Sequence, residues 1–287
     1  MQYILPSKLY LRIKYLFRLG QFPNFKNPTL FTEKLQILKL AETENEHTIY
    51  ADKVRVRNYV KDVLSEDFLI PILWVGDNPN KIPFSELPSQ YIIKTNNGSG
   101  GNIVVDNKSY LIKNKKIDID YSSIINTLKQ WLKINYYYQS KEICYKNIKP
   151  QVLIEPLLND EFGDIYLTDY KIHCFNGKAQ FLQIIFDRSS DTHENWFDRQ
   201  GNFLDLIYTY PNNKKLTDLP DFSNLFSIAD KLSSPFKYVR VDLYSYQQQI
   251  YFGELTFYPG SGMDNFNPPK WNKIFGDYIS LSESESI

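Results

Sequence analysis

The sequence lacks several features that would place it in well-known classes of protein. Its 287 residues include only two cysteines, Cys144 and Cys174, which are too few for a disulfide framework and are expected to pack inside a protein from a reducing compartment. Basic and acidic residues balance at 33 each, so no overall positive field favours nucleic acid. No apolar run reaches the roughly 20 residues of a membrane-spanning helix, and no cleavage site follows the first predicted helix. These absences favour a cytoplasmic location.

The hydrophobic pattern predicts helices early in the chain and strands later. Helices are predicted over 6–19, 32–42, 52–64 and 121–135. Strands are predicted over 68–75, 90–95, 102–106, 151–155, 165–175, 178–186, 238–244 and 249–257. This order is typical of an α+β protein with more than one lobe. The last residues, 281–287, alternate serine and glutamate and predict a disordered tail.

The first 32 residues contain five basic residues and no acidic residue. The basic residues are Lys8, Arg12, Lys14, Arg18 and Lys26, and apolar Leu9, Ile13, Leu16 and Phe17 lie between them. The pattern over 6–19 indicates a basic amphipathic helix. Two interpretations remain open, a peripheral contact with an anionic membrane and a surface helix docked on its own domain.

A glycine-rich turn joins the strands predicted over 90–95 and 102–106. The turn contains Asn97, Gly98, Ser99, Gly100 and Gly101, and Lys94 ends the strand before it. Glycine lets several backbone N–H groups approach phosphate oxygens, and the lysine adds a positive charge. The turn lacks the Gly-Lys-Ser/Thr of a Walker A loop and the spacing of a dinucleotide fingerprint. The segment therefore predicts either a phosphate-binding loop or an ordinary hairpin.

The last two predicted strands carry polar side chains on one face. Strand alternation puts Arg240, Asp242, Glu254 and Thr256 on this face. The other face is predicted to be apolar and to contain Val239, Val241, Leu243, Tyr251, Gly253, Leu255 and Phe257. A turn near Gln248 would put Asp242 opposite Glu254 and Arg240 opposite Thr256. Opposed carboxylates repel each other unless a cation lies between them, so the hairpin predicts either a Mg²⁺ site or a solvated polar face.

The order of these motifs resembles the TupA-like ATP-grasp family of polysaccharide biosynthesis. The matching stretches are 31–35, 51–57, 94–101, 169–171, 175–178, 187–188 and 253–262, and they span most of the chain from residue 30 to 280. The resemblance implies an α+β ATP-grasp fold, in which two α+β subdomains clasp the nucleotide. It implies a mainly helical N-terminal region over 1–84, a lid subdomain over 85–157 and a C-terminal subdomain with the metal site over 158–280.

The resemblance also implies ATP and Mg²⁺ as cofactors, with a nucleotide site built from two lysines, the glycine-rich loop and a hinge. The residues that it assigns to the nucleotide are Lys53, Lys94, Asn97, Gly98, Ser99, Gly100, Gly101, Glu155, Leu157, Leu158, Asp160 and Glu161. Glu155 would be the hinge acid, and the backbone that follows it would meet the adenine. The ribose would contact either Asp160 or Glu161.

The metal and catalytic residues are implied in the same way. Asp242, Glu254 and Thr256 would hold the metal, although many ATP-grasp ligases carry asparagine at the last position. Arg240 would steady the transferred phosphoryl group, and Lys171 would contact the γ-phosphate. The residues implied on the acceptor side are Asp187, Arg188, Gly260 and Ser261.

The function implied is an ATP-dependent ligase that forms an amide through an acyl phosphate. The partners implied are a sugar or polysaccharide acceptor with a carboxylate and a small amine, either an amino acid or an amino sugar. Three alternatives remain open: a sugar phosphotransferase on the same fold, a non-catalytic nucleotide-binding protein of polysaccharide assembly, and a glycosyltransferase. The sequence does not indicate an oligomeric state.

Overall fold

The chain folds into two antiparallel sheets with helices packed around them. This architecture comes from a computed structural model, which describes residues 5–98, 100–112, 115–160, 164–212 and 220–282. The helices are α1 (Ser7–Leu19), α2 (Phe31–Ala41), α3 (Thr48–Ala51), α4 (Val56–Val63), α5 (Tyr121–Leu132), α6 (Tyr136–Ser140), α7 (Phe222–Ser233) and α8 (Lys270–Asp277). Within the described ranges, no helix combines the length and the hydropathy that crossing a bilayer requires.

The first sheet has six strands in the order β1-β6-β2-β3-β4-β5. They are β1 (Trp74–Gly76), β2 (Gln90–Thr95), β3 (Asn102–Asp106), β4 (Ser109–Ile112), β5 (Lys115–Asp118) and β6 (Val152–Pro156). Side chains alternate along β2, so Ile93 joins an apolar cluster with Ile124 and Leu128 of α5, whereas Lys94 points to the opposite face. Helix α5 therefore covers one face of this sheet, and the other face carries Lys94.

The second sheet has five strands in the order β11-β10-β7-β8-β9. They are β7 (Asp169–Phe175), β8 (Lys178–Phe186), β9 (His193–Asp198), β10 (Tyr238–Tyr246) and β11 (Gln249–Thr256). One face of this sheet is apolar, with Val239, Val241 and Leu243 from β10, and it packs against α7 in the largest core of the protein. All three side chains are fully buried. This face packs in the core, and the polar side chains lie on the opposite face.

The opposite face of the second sheet is aromatic at one end and charged at the other. At the aromatic end, Tyr238 packs against Phe31 of α2, and Phe181 stacks on Phe275 of α8 with ring centroids 4.3 Å apart. Arg240 and Asp242 follow Tyr238 on the same face, because side chains two residues apart in a strand point the same way. Helices α2 and α8 thus cover the aromatic half, and the charged half faces the first sheet.

The helix predicted over 52–64 is interrupted, and that prediction was wrong at its start. Helix α3 ends at Ala51, and the carboxylate of Asp52 accepts hydrogen bonds from the N–H groups of Val54 and Arg55. A short aspartate side chain competes well with a helix for nearby N–H groups. Helix α4 begins only at Val56. Lys53 therefore lies in the break between the two helices, and its side chain does not follow the direction that a continuous helix would give it.

The strand predicted over 68–75 is limited to β1. Leu69 makes a single parallel bridge with Phe252 in the second sheet, and only Trp74 to Gly76 pair with β6 in the first sheet. Pro71 lies between these two contacts and has no N–H for a strand ladder. The segment passes from one sheet to the other, which explains why it reads as a continuous apolar run without forming one strand.

Several elements were not predicted, and one of them had a readable signal. The missed elements are α3, α6, α7, α8, β4, β5 and β9. Asp221 caps α7 by accepting from the N–H of Ser223, and Leu225, Ala229 and Leu232 recur on its buried side. The domain boundaries inferred from sequence remain predictions, and residues 283–287 of the predicted tail lie outside the described residues.

Candidate active site

The hairpin formed by β10 and β11 has the register that its sequence predicts at the polar end. Asp242 is paired with Glu254, and Arg240 is paired with Thr256. The hydroxyl of Thr256 accepts a hydrogen bond from Arg240 and donates one to Glu254, at 3.2 and 3.1 Å. Four polar side chains therefore form one connected group on the face that looks toward the first sheet.

The prediction of uninterrupted alternation was wrong at Gly253, where the hairpin contains a β-bulge. Beyond the bulge, Leu243 pairs with Phe252 and Tyr244 pairs with Tyr251. Phe252 therefore lies on the buried face, and Tyr251, which was predicted there, shares the polar face with Tyr244. A Cβ atom on Gly253 would lie 2.9 Å from the ring of Tyr244, so the bulge needs a residue without a side chain.

Asp242 lies between two cations, one on the neighbouring strand β7 and one on its own strand β10. Lys171 of β7 is its register partner and donates to Oδ2 at 2.7 Å, while Arg240 donates to Oδ1 at 2.6 Å and to Oδ2 at 2.7 Å. The Asp242 side chain is only 2% exposed. Burial by itself would lower the pKa of Arg240, but Asp242 outweighs it and raises that pKa above its usual value. This charged group is tightly held.

A second buried carboxylate, Asp169, lies at the start of β7. Arg188 approaches its Oδ2 atom at 2.9 Å and Lys171 approaches the same atom at 3.4 Å. Burial alone would raise the pKa of Asp169, but Lys171, Arg188 and Arg240 outweigh burial and hold that pKa below its usual value. Lys171 thus links Asp169 to Asp242.

Glu254 contacts a lysine from the helical part of the chain. Lys53 lies 3.0 Å from its Oε2 atom, and the same Nζ atom donates to the carbonyl oxygen of Gly98 at 3.0 Å. Removal from water would raise the pKa of Glu254, but Lys53, Lys171 and Arg240 hold that pKa well below its usual value. Lys53 therefore connects the glycine-rich loop of the first sheet to the carboxylate of the second.

The first sheet contributes a separate ion-paired group. Lys94 donates to Oε2 of Glu155 at 2.7 Å, and Arg57 of α4 lies 3.4 Å from Oε1. Arg57 also donates to the carbonyl oxygen of Ile70 at 2.7 Å, which fixes its position. Burial lowers the pKa of Arg57 from its usual value. Glu155 thus orients two cations toward the second sheet.

The base of the glycine-rich loop is held by asparagine side chains. Asn96 is fully buried, donates to Asp52 at 2.9 Å and accepts from the N–H of Gln151 at 2.7 Å. Asn97 donates to the carbonyl oxygen of Ile134 at 2.9 Å, so its side chain is used in the scaffold. Gly100 has φ +81, a backbone conformation that suits glycine. The loop has a fixed base, and Gly100 lies at the wall of the space between the sheets.

A charged cleft lies between the two sheets. Its charged lining residues are Lys53, Arg57, Lys94, Glu155, Asp169, Lys171, Arg188, Arg240, Asp242 and Glu254. Six of these are basic and four are acidic, so the cleft carries an excess of positive charge. An adjoining pocket, here called the apolar pocket, has both polar and apolar residues in its lining, and the apolar ones include Ile70, Ile92, Leu157, Leu158, Ile165 and Leu167. The two spaces share Lys94, Asn102, Glu155, Arg188 and Tyr244, so one ligand could occupy both.

Some of the residues selected from sequence do not line either space. Asp160 accepts a hydrogen bond from the N–H of Thr168 and so shapes its own loop. Ser261 accepts hydrogen bonds from Lys39 through its carbonyl and hydroxyl oxygens, both at 2.9 Å. The lining also omits Asn97, Gly98, Gly101, Asp187, Thr256 and Gly260. Ser99 and Glu161 lie outside the described residues.

Four polar residues of the cleft were not among the candidate site residues of the sequence analysis. They are Arg57, Asn102, Asp169 and Tyr244. Two of them had a simple signal, because Asp169 is two residues from Lys171 and Tyr244 is two residues from Asp242, which places each pair on one strand face. Arg57 had no such signal, since its approach to Glu155 joins two elements that are distant in the sequence.

The carboxylates of the cleft provide only part of the ligand set of a divalent metal. In the part of the chain that the structure describes, no three His, Cys, Asp or Glu side chains are grouped to hold a metal. Asp242 and Glu254 offer the hard oxygen ligands that Mg²⁺ prefers, but their oxygens also accept bonds from cations. The site therefore fits a Mg²⁺ ion that takes one or two ligands from the protein and the others from phosphate and water.

Comparisons with known proteins were made against families, curated proteins and solved structures. The sequence matches the family described as TupA-like ATPgrasp over residues 33–280, and no curated protein matches it. The D-alanine–D-alanine ligases of Bacillus anthracis and Helicobacter pylori are each 17% identical, with TM-scores of 0.42; 81% of this chain aligns with 64% and 62% of theirs. The ADP complex of N5-carboxyaminoimidazole ribonucleotide synthetase is 10% identical with a TM-score of 0.41, over 78% of this chain and 50% of that one.

The chain belongs to the TupA-like ATP-grasp family, because the family match covers most of its length. The chain spans less than two thirds of the length of the solved ligases. Their TM-scores are below 0.5, so the assignment rests on the family match together with the α+β architecture of two antiparallel sheets.

Proposed function

We propose that the protein is an ATP- and Mg²⁺-dependent ligase that joins an amine to a carboxylate. The observation that carries this proposal is the junction between the charged cleft and the apolar pocket. A nucleoside triphosphate has the same division, with a flat base at one end and a polyanion at the other. Membership in an ATP-grasp family supports this choice of ligand.

The charged cleft suits the triphosphate. Six basic side chains line it, and oriented cations around a partly buried site attract phosphate oxygens more strongly than cations in open water. Lys53 and Lys94 extend from the side of the glycine-rich loop, and Arg240 and Lys171 from the second sheet. A Mg²⁺ ion held by Asp242 and Glu254 would neutralise phosphate charge and polarise the transferred phosphoryl group.

The apolar pocket suits the base. Leu157 and Leu158 directly follow β6, and Ile165 and Leu167 come from the next loop. Apolar side chains on both sides of a flat ring bury it without a large desolvation cost. The backbone after Glu155 has polar groups next to this pocket, which can bind the edge of the ring.

The proposed reaction places no demand on a nucleophilic side chain. ATP would phosphorylate a carboxylate, and an amine would then displace phosphate to give an amide. Such a reaction depends on charge stabilisation, for which Arg240, Lys171 and Lys53 have suitable positions.

We further propose that the carboxylate belongs to a sugar of a capsule or surface polysaccharide, that the amine is an amino acid or amino sugar, and that the enzyme acts in the cytoplasm. Arg188 lines the cleft and offers a cation for the acceptor carboxylate.

A glycosyltransferase function has little support from the chain. The sequence contains one Asp-x-Asp element, Asp118-Ile119-Asp120, which is the type that holds a nucleotide sugar through a metal. Both aspartates are exposed at the end of β5, and Asp120 accepts from the N–H of Ser122 to begin α5. Neither residue lines the cleft between the sheets.

Thermal unfolding with and without Mg-ATP tests the nucleotide site. Ligand at 100 times its Kd stabilises a protein by about 2.7 kcal/mol, which corresponds to a rise of several degrees in Tm. We expect this rise with Mg-ATP and a much smaller one with ATP and a chelator. If millimolar Mg-ATP leaves Tm unchanged, the protein is not an ATP-dependent enzyme of either kind.

Product analysis separates a ligase from a sugar phosphotransferase. The protein is incubated with Mg-ATP, a panel of uronic acids and a panel of amines, singly and together. A ligase releases ADP and phosphate only when both acceptors are present and forms an amide of matching mass. A phosphorylated sugar formed without any amine would contradict the ligase proposal and identify a kinase.

A further inference from the structure

Helix α1 is attached to the protein through one side, on which Tyr10 and Lys14 also donate hydrogen bonds to the carbonyl oxygen of Gln139, at 3.0 and 2.9 Å. Leu11 and Tyr15 are fully buried and form a cluster with Met263, and the hydroxyl of Tyr15 is hydrogen-bonded to that of Thr32 at 2.7 Å. These two residues are four positions apart, so they lie on the same side of the helix. The remaining circumference of α1 is available for another contact.

The side of α1 opposite this attachment is apolar. It contains Leu9, Ile13, Leu16 and Phe17, here called the outer stripe. A rotation of 100° per residue puts the centre of the outer stripe roughly 180° from the centre of the attached side. Phe17 is 84% exposed and Leu9 is 45% exposed, and Phe22, just beyond the helix, is 57% exposed. Ile13 and Leu16 are partly buried, so the exposed apolar surface of this region consists mainly of Leu9, Phe17 and Phe22.

Basic side chains flank the outer stripe. Lys8 and Arg12 lie one helical turn apart at one edge, and the guanidinium of Arg12 lies 5.5 Å from the centre of the Phe22 ring. Across the described residues, neither Lys8 nor Arg12 has a carboxylate within ion-pair distance. Arg18 is seven residues from Leu11 and therefore lies on the attached side, where it is 65% exposed and has Asp264 at 3.7 Å. The outer stripe is thus bordered at one edge by two cations that have no carboxylate partner among the described residues.

This combination of charge and apolar surface selects one kind of partner. If a second copy covered the outer stripe, Lys8 and Arg12 of each copy would be brought toward those of the other, which is unfavourable. An anionic lipid surface instead offers phosphate groups to the cations and acyl chains to the rings. We propose that α1 lies in the headgroup layer of an anionic membrane, with the outer stripe and Phe22 directed into the lipid.

Co-sedimentation with vesicles tests the proposal on the full chain. The vesicles are phosphatidylcholine with and without phosphatidylglycerol, at low and high salt. We expect binding to the anionic vesicles only, and weaker binding at high salt because salt screens the attraction. Phe17→Ser and Phe22→Ser should each lower the partition coefficient at least about tenfold, since each removes an aromatic ring from lipid contact.

The matched control is Phe203→Ser, because Phe203 is 53% exposed on the second sheet, far from α1 in the chain. This variant should bind vesicles as the wild type does. All variants should keep the wild-type rise in Tm with Mg-ATP, which shows that the fold is intact. The proposal is overturned if the wild type does not bind anionic vesicles, or if Phe17→Ser and Phe22→Ser bind them as the wild type does. It is also overturned if these substitutions instead dissociate a dimer.

A fluorescent label gives a second, independent measurement. Cys144 and Cys174 are buried, so a Phe17→Cys variant can be labelled selectively with an environment-sensitive dye. Addition of anionic vesicles should shift the emission of a label at residue 17 to the blue and leave a label on Phe203→Cys unchanged. Equal shifts at both positions, or none at residue 17, would contradict insertion through α1.

Discussion

Asp242 and Glu254 are paired across two strands, but Asp242 is more deeply buried than Glu254. Asp242 is 2% exposed and accepts hydrogen bonds from both Arg240 and Lys171. Glu254 is one third exposed, and its main cation is Lys53. Removing the charge of Asp242 leaves Arg240 and Lys171 only their longer ion pairs, with Glu254 at 3.8 Å and Asp169 at 3.4 Å, whereas the charge of Glu254 is nearer to solvent.

We therefore predict effects of different size on stability for two isosteric substitutions. Asp242→Asn should lower the free energy of unfolding by about 3 kcal/mol, as expected when one partner of a buried ion pair is neutralised. Glu254→Gln should lower stability less, because Glu254 is one third exposed, and should abolish ATP-dependent turnover, because a proposed metal ligand loses its charge. Denaturant titration measures the first effect and ADP release the second. An active Glu254→Gln enzyme would contradict the metal assignment.

Asp169 gives a prediction about pH. Its pKa is lower in the folded protein than in the unfolded chain, where an aspartate titrates near 3.9. The ionised group therefore adds stability above about pH 4, and this contribution is lost as the pH falls through the folded-state pKa. The stability difference between the wild type and Asp169→Asn should be largest near neutral pH and should shrink below about pH 4.

Denaturant midpoints measured across this pH range check the prediction. Asp277→Asn is a suitable control, since Asp277 is 57% exposed and, among the described residues, has its ion pair with Lys273 of the same helix. Its difference from the wild type should be small at every pH, because exposed pairs contribute little. A stability difference for Asp169→Asn that stays constant with pH would show that Lys171 and Arg188 do not depend on its charge.

At the level of elements, the bulge at Gly253 decides which side chains of β11 reach the cleft. Before the bulge, even-numbered side chains such as Ile250 and Phe252 are buried, and after it the odd-numbered Leu255 is buried. The bulge thus turns Glu254 toward Asp242. Without the bulge, Glu254 would point to the same side of β11 as Phe252, because side chains two residues apart in a regular strand share a face, and it would therefore enter the core.

Gly253→Ala tests this role of the bulge. Its Cβ would meet the Tyr244 ring at 2.9 Å and the carbonyl oxygen of Asp242 at 3.0 Å. We expect a loss of about 1–3 kcal/mol of stability from this overpacking, together with weaker binding of Mg-ATP as Glu254 is displaced. Ser245→Ala, nearer the turn, should affect neither quantity. Normal nucleotide affinity in Gly253→Ala would mean that the bulge serves packing alone.

For the whole molecule, Lys53 is the contact that joins the two halves of the cleft. Its ammonium group contacts the carbonyl oxygen of Gly98 on the loop side and Glu254 on the second sheet. Asp52, the preceding residue, is bonded to Asn96 at the base of the same loop. The interruption between α3 and α4 therefore holds the glycine-rich loop in front of the carboxylates.

We predict that Lys53→Met loosens the loop and weakens nucleotide binding. Hydrogen exchange should become faster at Asn97 and Gly98, and the Kd for Mg-ATP should rise at least about tenfold, since a charge-assisted bond of this kind is worth more than 1.4 kcal/mol. Lys149→Met is the control, because Lys149 is 78% exposed and pairs with Asp77 at the surface. Unchanged exchange in Lys53→Met would show that the loop is fixed by its asparagines alone.

The sequence was most informative where the determinants are local. Alternation along 238–244 and a short turn are sufficient to bring Asp242 opposite Glu254, because a hairpin register depends on a few neighbouring residues. The same alternation failed beyond Gly253, where a bulge depends on how Tyr244 packs. Helix α1 was also predictable as an amphipathic helix, but its pattern left open which side would face the protein.

By itself, then, the sequence determined the family, the paired carboxylates of the hairpin and the lysine that precedes the glycine-rich loop, because each depends on motifs or on residues that are near one another in the chain. Only the tertiary structure decided which cations meet those carboxylates. Lys171 and Asp242 are 71 residues apart in the chain, and Lys53 reaches Glu254 from the break between two helices. Such contacts arise when separate elements pack together, and the outward direction of Phe17 on α1 was decided in the same way.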